Sequence, residues 1–345
     1  MRRLGWWIRW VICGVVVVSC GGVAVAAVKP VVTVAADGTG KFKTLQEAVD
    51  SVGADGLVVK IAAGTYREKL HVTGNGIELR GMGAGPKDVV LSWDDSAGTA
   101  GGTGKSGSVT VTGDDFTAVN LTMENTWERT HQSTHEGAQA VALLVSGDRE
   151  VFRNVRLLGY QDTLYAGSKT CHDKDAPGKG FCQAGRMYFK DCYIEGHVDF
   201  IFGDAKAVFD HCELHGMAHP TVMLTAQSKL FPDEDSGYLF LDCTVTADKR
   251  AEKIIMGRPW RPYATVFFVN TKLDGAEIAP EGWSDWDGKL ATATYAEFNT
   301  TSANGPEDTS KRIAGTHVLS AEQAKKLTVD AWLGGKDGWK AESRK

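Results

Sequence analysis

The chain is short of several things that would otherwise decide its class. Proline is scarce, at 9 of 345 residues, and long helical patterns are few, which argues against a bundle or a doubly wound α/β fold. A surplus of basic charge is missing too. The formal net charge is −5, and it falls to about −8 once Arg2, Arg3 and Arg9 are set aside. Nucleic-acid binders carry a basic stripe, so that class is set aside. After the first thirty residues no stretch approaches the roughly 18 consecutive apolar residues of a membrane span. No Gly-x-Ser-x-Gly elbow occurs. Gly104-Lys105-Ser106 lacks the first glycine of a phosphate loop, because Thr99 stands there, and Gly81-Met82-Gly83-Ala84-Gly85 leads into Pro86 and an extended run instead of a helix. His131 and His135 have i,i+4 spacing without the glutamate of a zinc-protease helix, and read as solvated loop histidines.

What is present is a repeat. Phe152-Arg153-Asn154-Val155-Arg156-Leu157-Leu158-Gly159 and Phe189-Lys190-Asp191-Cys192-Tyr193-Ile194-Glu195-Gly196 share one pattern: aromatic, any, Asn or Asp, small apolar, any, branched apolar, any, Gly. The pattern returns from Phe209, Phe240 and Phe268, and more weakly from Ala118; the starts are 34, 37, 20, 31 and 28 residues apart. Regular units at irregular spacing describe short strands held in register while the loops between them vary. Such units bury an apolar face only by stacking, and the stack implied is a parallel β-helix. Residues 41–52, with Phe42, Leu45, Ala48, Val49 and Val52 at helical spacing, predict a helix that caps its open N-terminal end. Ser320 followed by Gln323 is a capping box and opens a short surface helix after the last coils.

Residues 1–27 read as an export signal: a basic start, an apolar core over residues 11–18 and a small-residue site at Ala24-Val25-Ala26. Val17-Val18-Ser19-Cys20 offers a second option, a lipoprotein signal ending before Cys20. The mature chain is then secreted or, if lipidated, tethered to an outer membrane or held in a periplasm, with 30–340 as one domain and a monomer as the default state. Export also permits disulfides. Cys192, Cys212 and Cys243 fall at the fourth position of successive units and should stack as a ladder, Cys192–Cys212 being the favoured pair and Cys243 left free. Cys171 and Cys182 flank an insertion rich in Lys, Asp and Gly and read as a loop staple; a zinc site there lacks a fourth ligand, and no metal is expected.

Asp162 and Asp199 each lie ten residues after the aromatic of their unit, so stacked coils set one above the other, with parallel strands about 4.8 Å apart. Two adjacent carboxylates repel, leaving one protonated and the other ionised. That arrangement suits a retaining glycosidase or an ester hydrolase with a carboxylate nucleophile equally well. It would also suit an Asp ladder that merely caps strand ends. Gln139 and Gln161 could donate to an oxyanion.

Five ordered segments carry a resemblance: Gly64-Thr65-Tyr66-Arg67-Glu68, Gln139-Ala140-Val141-Ala142-Leu143, Gln161-Asp162-Thr163-Leu164-Tyr165, Asp199-Phe200-Ile201-Phe202-Gly203 and Gly257-Arg258-Pro259-Trp260. Together they resemble the pectin methylesterases (pectinesterases), of the bacterial secreted type. The resemblance implies a right-handed parallel β-helix needing no metal or cofactor, acting on methyl-esterified homogalacturonan to release methanol. It implies Asp199 as nucleophile, Asp162 as general acid and base, Gln139 and Gln161 as oxyanion donors, and Arg258 as the partner that orients Asp199. Trp260, Tyr165 and Phe202 would line the sugar groove, or else pack the core, and Thr103 sits in a segment only loosely similar. Met256 departs from the usual Leu, and the insertion between Cys171 and Cys182 would form a groove wall. Alternatives are a related esterase or thioesterase on another ester, a lyase or polygalacturonase on the same fold, and a β-helix that only binds polysaccharide.

Overall fold

The computed structural model describes residues 29–131, 137–169 and 184–344. The repeat becomes three parallel sheets that wind around one core. The first runs from Val31–Val34 through Leu57–Ile61, Ile77–Gly81, Arg186–Lys190, Lys206–Asp210, Gly237–Leu241 and Thr265–Val269 to Thr294–Phe298. The second contains Gly64–Arg67, Val89–Trp93, Tyr193–Gly196, Glu213–Gly216 and Thr244–Ala247. Two long strands, Thr117–Asn125 and Glu150–Leu158, pass through both sheets. The third stacks Leu70–Val72, Val109–Val111, Leu143–Val145, Leu164–Ala166, Ile201–Gly203 and Thr225–Gln227. This is the expected parallel β-helix.

The letters of the repeat have physical causes. Its aromatic position forms an internal ladder, in which Phe152, Phe189, Phe209, Phe240 and Phe268 stack with ring centroids 4.6, 4.8, 4.5 and 4.2 Å apart and planes within 10° of parallel. The third position turns the chain from the first sheet into the second in left-handed backbone: φ is 58° at Asn120, 50° at Asn154, 53° at Asp191, 54° at His211, 52° at Asp242 and 56° at Asn270. Asn and Asp tolerate that region better than other residues bearing a Cβ. Their amides also bond from coil to coil, as Asn154 Nδ2 does to Asn120 Oδ1 at 2.9 Å and Asn270 Nδ2 to Asp242 Oδ1 at 3.0 Å. The closing glycine is needed for close approach, since a Cβ on Gly196 would lie 2.4 Å from that of Phe200.

The cysteine ladder forms without the expected bond. Cys192, Cys212 and Cys243 are buried free thiols, and each Sγ donates to a carbonyl of the preceding coil: Phe152, Phe189 and Phe209 respectively, at 3.3–3.5 Å. In-register parallel strands hold successive Cβ atoms about 4.8 Å apart, wider than the roughly 3.5–4.5 Å a disulfide requires. Cys171 and Cys182 lie outside the described residues, as do the export segment and His135.

The capping helix is shorter than its periodicity implied. It spans Leu45–Asp50, because Phe42 is held in a parallel bridge to Val34. Thr44 caps it, and the Glu68 carboxylate accepts from the N–H groups of Leu45 and Gln46. At the other end of the chain the Ser320–Gln323 capping box is formed and opens Ala321–Ala324. That helix and Val329–Leu333 lay Ala324, Val329 and Leu333 against Val151, Tyr188, Val208 and Leu239, on the outer side of the first sheet. Among the described residues, no helix is long and apolar enough to cross a membrane.

The aromatic ladder supplies a direct test of the fold. Phe209→Ala removes the middle rung and should cost about 3–5 kcal/mol, read as a lower denaturation midpoint at unchanged slope. A loss under about 1 kcal/mol would mean that the rung is not a packed core element.

Candidate active site

Two adjacent coils build the centre of the site. Register carries Leu164 and Tyr165 onto Ile201 and Phe202, so the residues two places before Leu164 and Ile201, Asp162 and Asp199, share a phase. Both occupy left-handed backbone, at φ 66° and 50°. The backbones are tied directly, for Asp162 N–H donates to the Val198 carbonyl at 3.1 Å and Leu164 N–H to that of Phe200 at 2.8 Å. Non-glycine residues keep such dihedrals only where the surroundings over-determine them, and here a full ladder on each side does so. Both carboxyls are buried.

Arg258 comes from a coil further along, held by its N–H on the Thr225 carbonyl at 3.0 Å. Its guanidinium grips Asp199 by two parallel bonds, Nε to Oδ1 at 2.9 Å and Nη2 to Oδ2 at 2.6 Å. Such bidentate geometry is something lysine cannot reproduce. The two aspartates therefore differ. Burial pushes both carboxyls up from the ordinary range, but at Asp199 the Arg258 hydrogen bonds and charge oppose that rise. At Asp162 burial acts first, the neighbouring Asp199 adds to it, and the charge of Arg258 relieves it only in part, leaving the carboxyl well above its usual range. Two carboxyls made unequal in this way can work as a general acid and a nucleophile.

Gln139 and Gln161 lie half-buried on successive coils beside this pair, joined by the Ala140 N–H to the Gln161 carbonyl at 3.1 Å. The third sheet carries the aromatic group. Tyr165 stacks on Phe202 at 4.5 Å, and Trp260 meets Phe202 edge-on at 5.9 Å. Phe202 is itself buried, so it backs the other two rings, while half-buried Tyr165 and Trp260 present area to the outside. Gly203, with φ 116°, admits no side chain there, because a Cβ would lie 2.1 Å from the Ala166 carbonyl oxygen. Thr103 sits in the turn Thr103–Lys105, where its carbonyl accepts from Ser106. Met256 is a buried core residue.

One neighbour escaped sequence reasoning. The Arg258 guanidinium carbon lies 4.1 Å from the centroid of the Trp286 ring, a cation–π contact that adds to the carboxylate bonds to Asp199. The only hint in the sequence is its place in the aromatic cluster Trp283-Ser284-Asp285-Trp286. Nothing there says which of the two rings reaches the site, and Trp283 is buried instead, against Tyr295.

A parallel β-helix with two buried carboxyls side by side, one of them clamped by an arginine, is a framework that can serve a hydrolase using a carboxylate in place of a serine or cysteine. The comparisons narrow this class. The pectinesterase family model matches residues 31–336, and the chain belongs to that family. It is 35% identical over 310 residues to pectinesterase 31 of Arabidopsis thaliana, covering 85% of this chain and 89% of that one. It is also 35% identical to pectinesterase 2 of Citrus sinensis, of which it spans 58%. Among solved structures, a pectin methylesterase from carrot superposes with a TM-score of 0.78 at 29% identity, over 92% of this chain and 98% of that one. One from Erwinia chrysanthemi gives 0.72 at 26%, over 91% and 99%.

The clamp makes a pH prediction. A nucleophilic Asp199 acts ionised, and Arg258 holds its pKa down against burial. Arg258→Ala should therefore move the acid limb of the kcat/KM profile to higher pH and lower the rate at neutral pH by roughly 100-fold. An acid limb left in place would show that Arg258 does not set the charge of Asp199.

Proposed function

We propose that the chain hydrolyses the C6 methyl esters of homogalacturonan by a covalent route. Asp199 attacks the ester carbonyl carbon, and the oxygen that gains the electron pair is held by the side-chain amides of Gln139 and Gln161. Collapse of this intermediate breaks the bond to the methoxy oxygen, which takes the proton of Asp162 and leaves as methanol. Asp162, now a carboxylate, removes a proton from water as that water attacks the acyl-enzyme. Asp199 departs as a carboxylate, Asp162 is protonated again, and the product is a free galacturonate unit. Arg258 keeps Asp199 ionised and aimed throughout, and Trp260 and Tyr165 face the sugar rings. The observation that carries this reading is the asymmetry of the pair: Asp199 is doubly bonded by Arg258 while the buried Asp162 beside it is not.

Substrate choice is supported by family membership and by relatives whose names specify pectin. In this reading residues 1–27 direct export, residues 30–340 are the catalytic domain and the enzyme works outside the cytoplasm as a single chain, with lipidation at Cys20 as the tethered variant. The bacterial placement rests on the export segment alone, since the curated relatives named above are plant proteins.

Methanol release from highly methylated pectin tests the reading, with viscosity and reducing ends followed in the same reaction. Methanol should appear with no chain cleavage, whereas cleavage would indicate a lyase or glycosidase. Asp199→Asn should bring methanol to background while pectin binding persists; retained turnover in that variant would end the carboxylate mechanism. A folded wild-type chain that releases no methanol would point to a different ester, thioesters being the next to try.

A further inference from the structure

His197 stands two residues before Asp199, and no step above uses it. Its ring is buried, stacked on His219 with centroids 4.5 Å apart and tilted against Tyr160 at 5.9 Å. Nδ1 lies 2.8 Å from the backbone nitrogen of Val198 and accepts its N–H. An acceptor at Nδ1 leaves the ring proton on Nε2. That Nε2–H is directed at the Glu128 carboxylate, 2.9 and 3.0 Å from its two oxygens. The ring thus bridges the His197–Val198 peptide, one residue ahead of Asp199, and a carboxylate 69 positions away in sequence.

Both ends of the bridge are anchored at the site. On the His197 side, its own N–H donates to the Tyr160 carbonyl at 3.0 Å, its carbonyl accepts from Met223 N–H at 2.6 Å, and the Val198 carbonyl takes the Asp162 N–H. Glu128 belongs to the short helix Trp127–Thr130. Asn125 starts that helix by accepting the Trp127 N–H on Oδ1 at 3.0 Å, while its Nδ2 donates to the carbonyls of Asp95, Ser106 and Val141 at 2.8, 3.2 and 3.0 Å. Val141 is two residues beyond Gln139. Hydrogen bonds and the short helix together therefore link the turn that presents Asp199 to the segment before Leu143–Val145 that presents Gln139.

We infer that His197 and Glu128 form a positioning pair, which fixes the left-handed turn at Asp199 relative to the segment that carries Gln139. The inference rests on Asp199 being the nucleophile. In this role Glu128 sets the tautomer: its carboxylate holds the proton on Nε2, so that Nδ1 stays free to receive the Val198 N–H. Neither side chain touches the reacting atoms, and the pair acts through the backbone of Asp199. An oxyanion and a nucleophile misplaced by a fraction of an ångström lose much of the advantage of proximity.

The test uses Glu128→Ala and Glu128→Gln in the full chain. The alanine variant should lose about tenfold in kcat, with KM within about twofold of wild type and an unchanged unfolding midpoint. Glutamine, whose amide oxygen still accepts Nε2–H, should restore most of the rate. Nitrogen-15 NMR of the His197 ring should show the Nε2–H form in wild type and in the glutamine variant, and gain the Nδ1–H form in the alanine variant. An unchanged kcat, a loss confined to KM, or a loss that glutamine does not repair would overturn the inference. The wild-type ring separates this inference from the proposed function. Methanol release absent in wild type defeats the catalytic reading, whereas a His197 proton found on Nδ1 in wild type defeats the pair.

Discussion

Everything in this molecule depends on phase. Each coil must return the chain to the same angular position after a loop of arbitrary length, or the parallel hydrogen bonds of the next coil cannot form. From the coil of Thr117–Asn125 onward, the structure secures phase at the left-handed residue where the first sheet turns into the second. Asn and Asp tolerate that backbone, and their side chains add a second ladder parallel to the main-chain one. With phase fixed, like side chains fall on like, and aromatic rings, thiols and carboxylates each form a column.

The site is a by-product of the same constraint turned to use. Columns of phenylalanine are favourable because stacked rings attract. A column of two buried carboxylates is unfavourable because the charges repel and burial penalises both. The fold keeps the unfavourable column by over-determining its backbone, and Arg258 makes the two members unequal. The Trp286 ring lies over the arginine, and its quadrupole attracts the cation. In the proposed mechanism this inequality turns repulsion into a division of labour between acid and anion.

How much of this was legible in the sequence follows from the same logic. Phase is written locally, so the coil pattern, the Phe ladder and the stacking of Asp162 on Asp199 could be read from short words repeated along the chain. The cysteine ladder was legible as a column, but not the redox state of its members, because in-register stacking brings sulfurs near each other without converging the Cβ atoms. The capping helix lost its first turn to a bridge between Phe42 and Val34, a tertiary contact that outbid helical spacing. Contacts made by loops were not legible at all. Neither the choice of Trp286 over Trp283 beside Arg258 nor the bond of Glu128 to His197 has a local signature, since loop length varies freely between coils.

The central claim is that the stacked carboxyls differ in protonation and that Arg258 causes the difference. Carbon-13 NMR titration of the two aspartate side chains in the free enzyme measures this directly. Asp199 should be ionised at neutral pH while Asp162 remains protonated, and the late-titrating signal should vanish in Asp162→Asn. Two carboxyls that ionise together in the ordinary carboxylate range, unaffected by the loss of Arg258, would contradict the account.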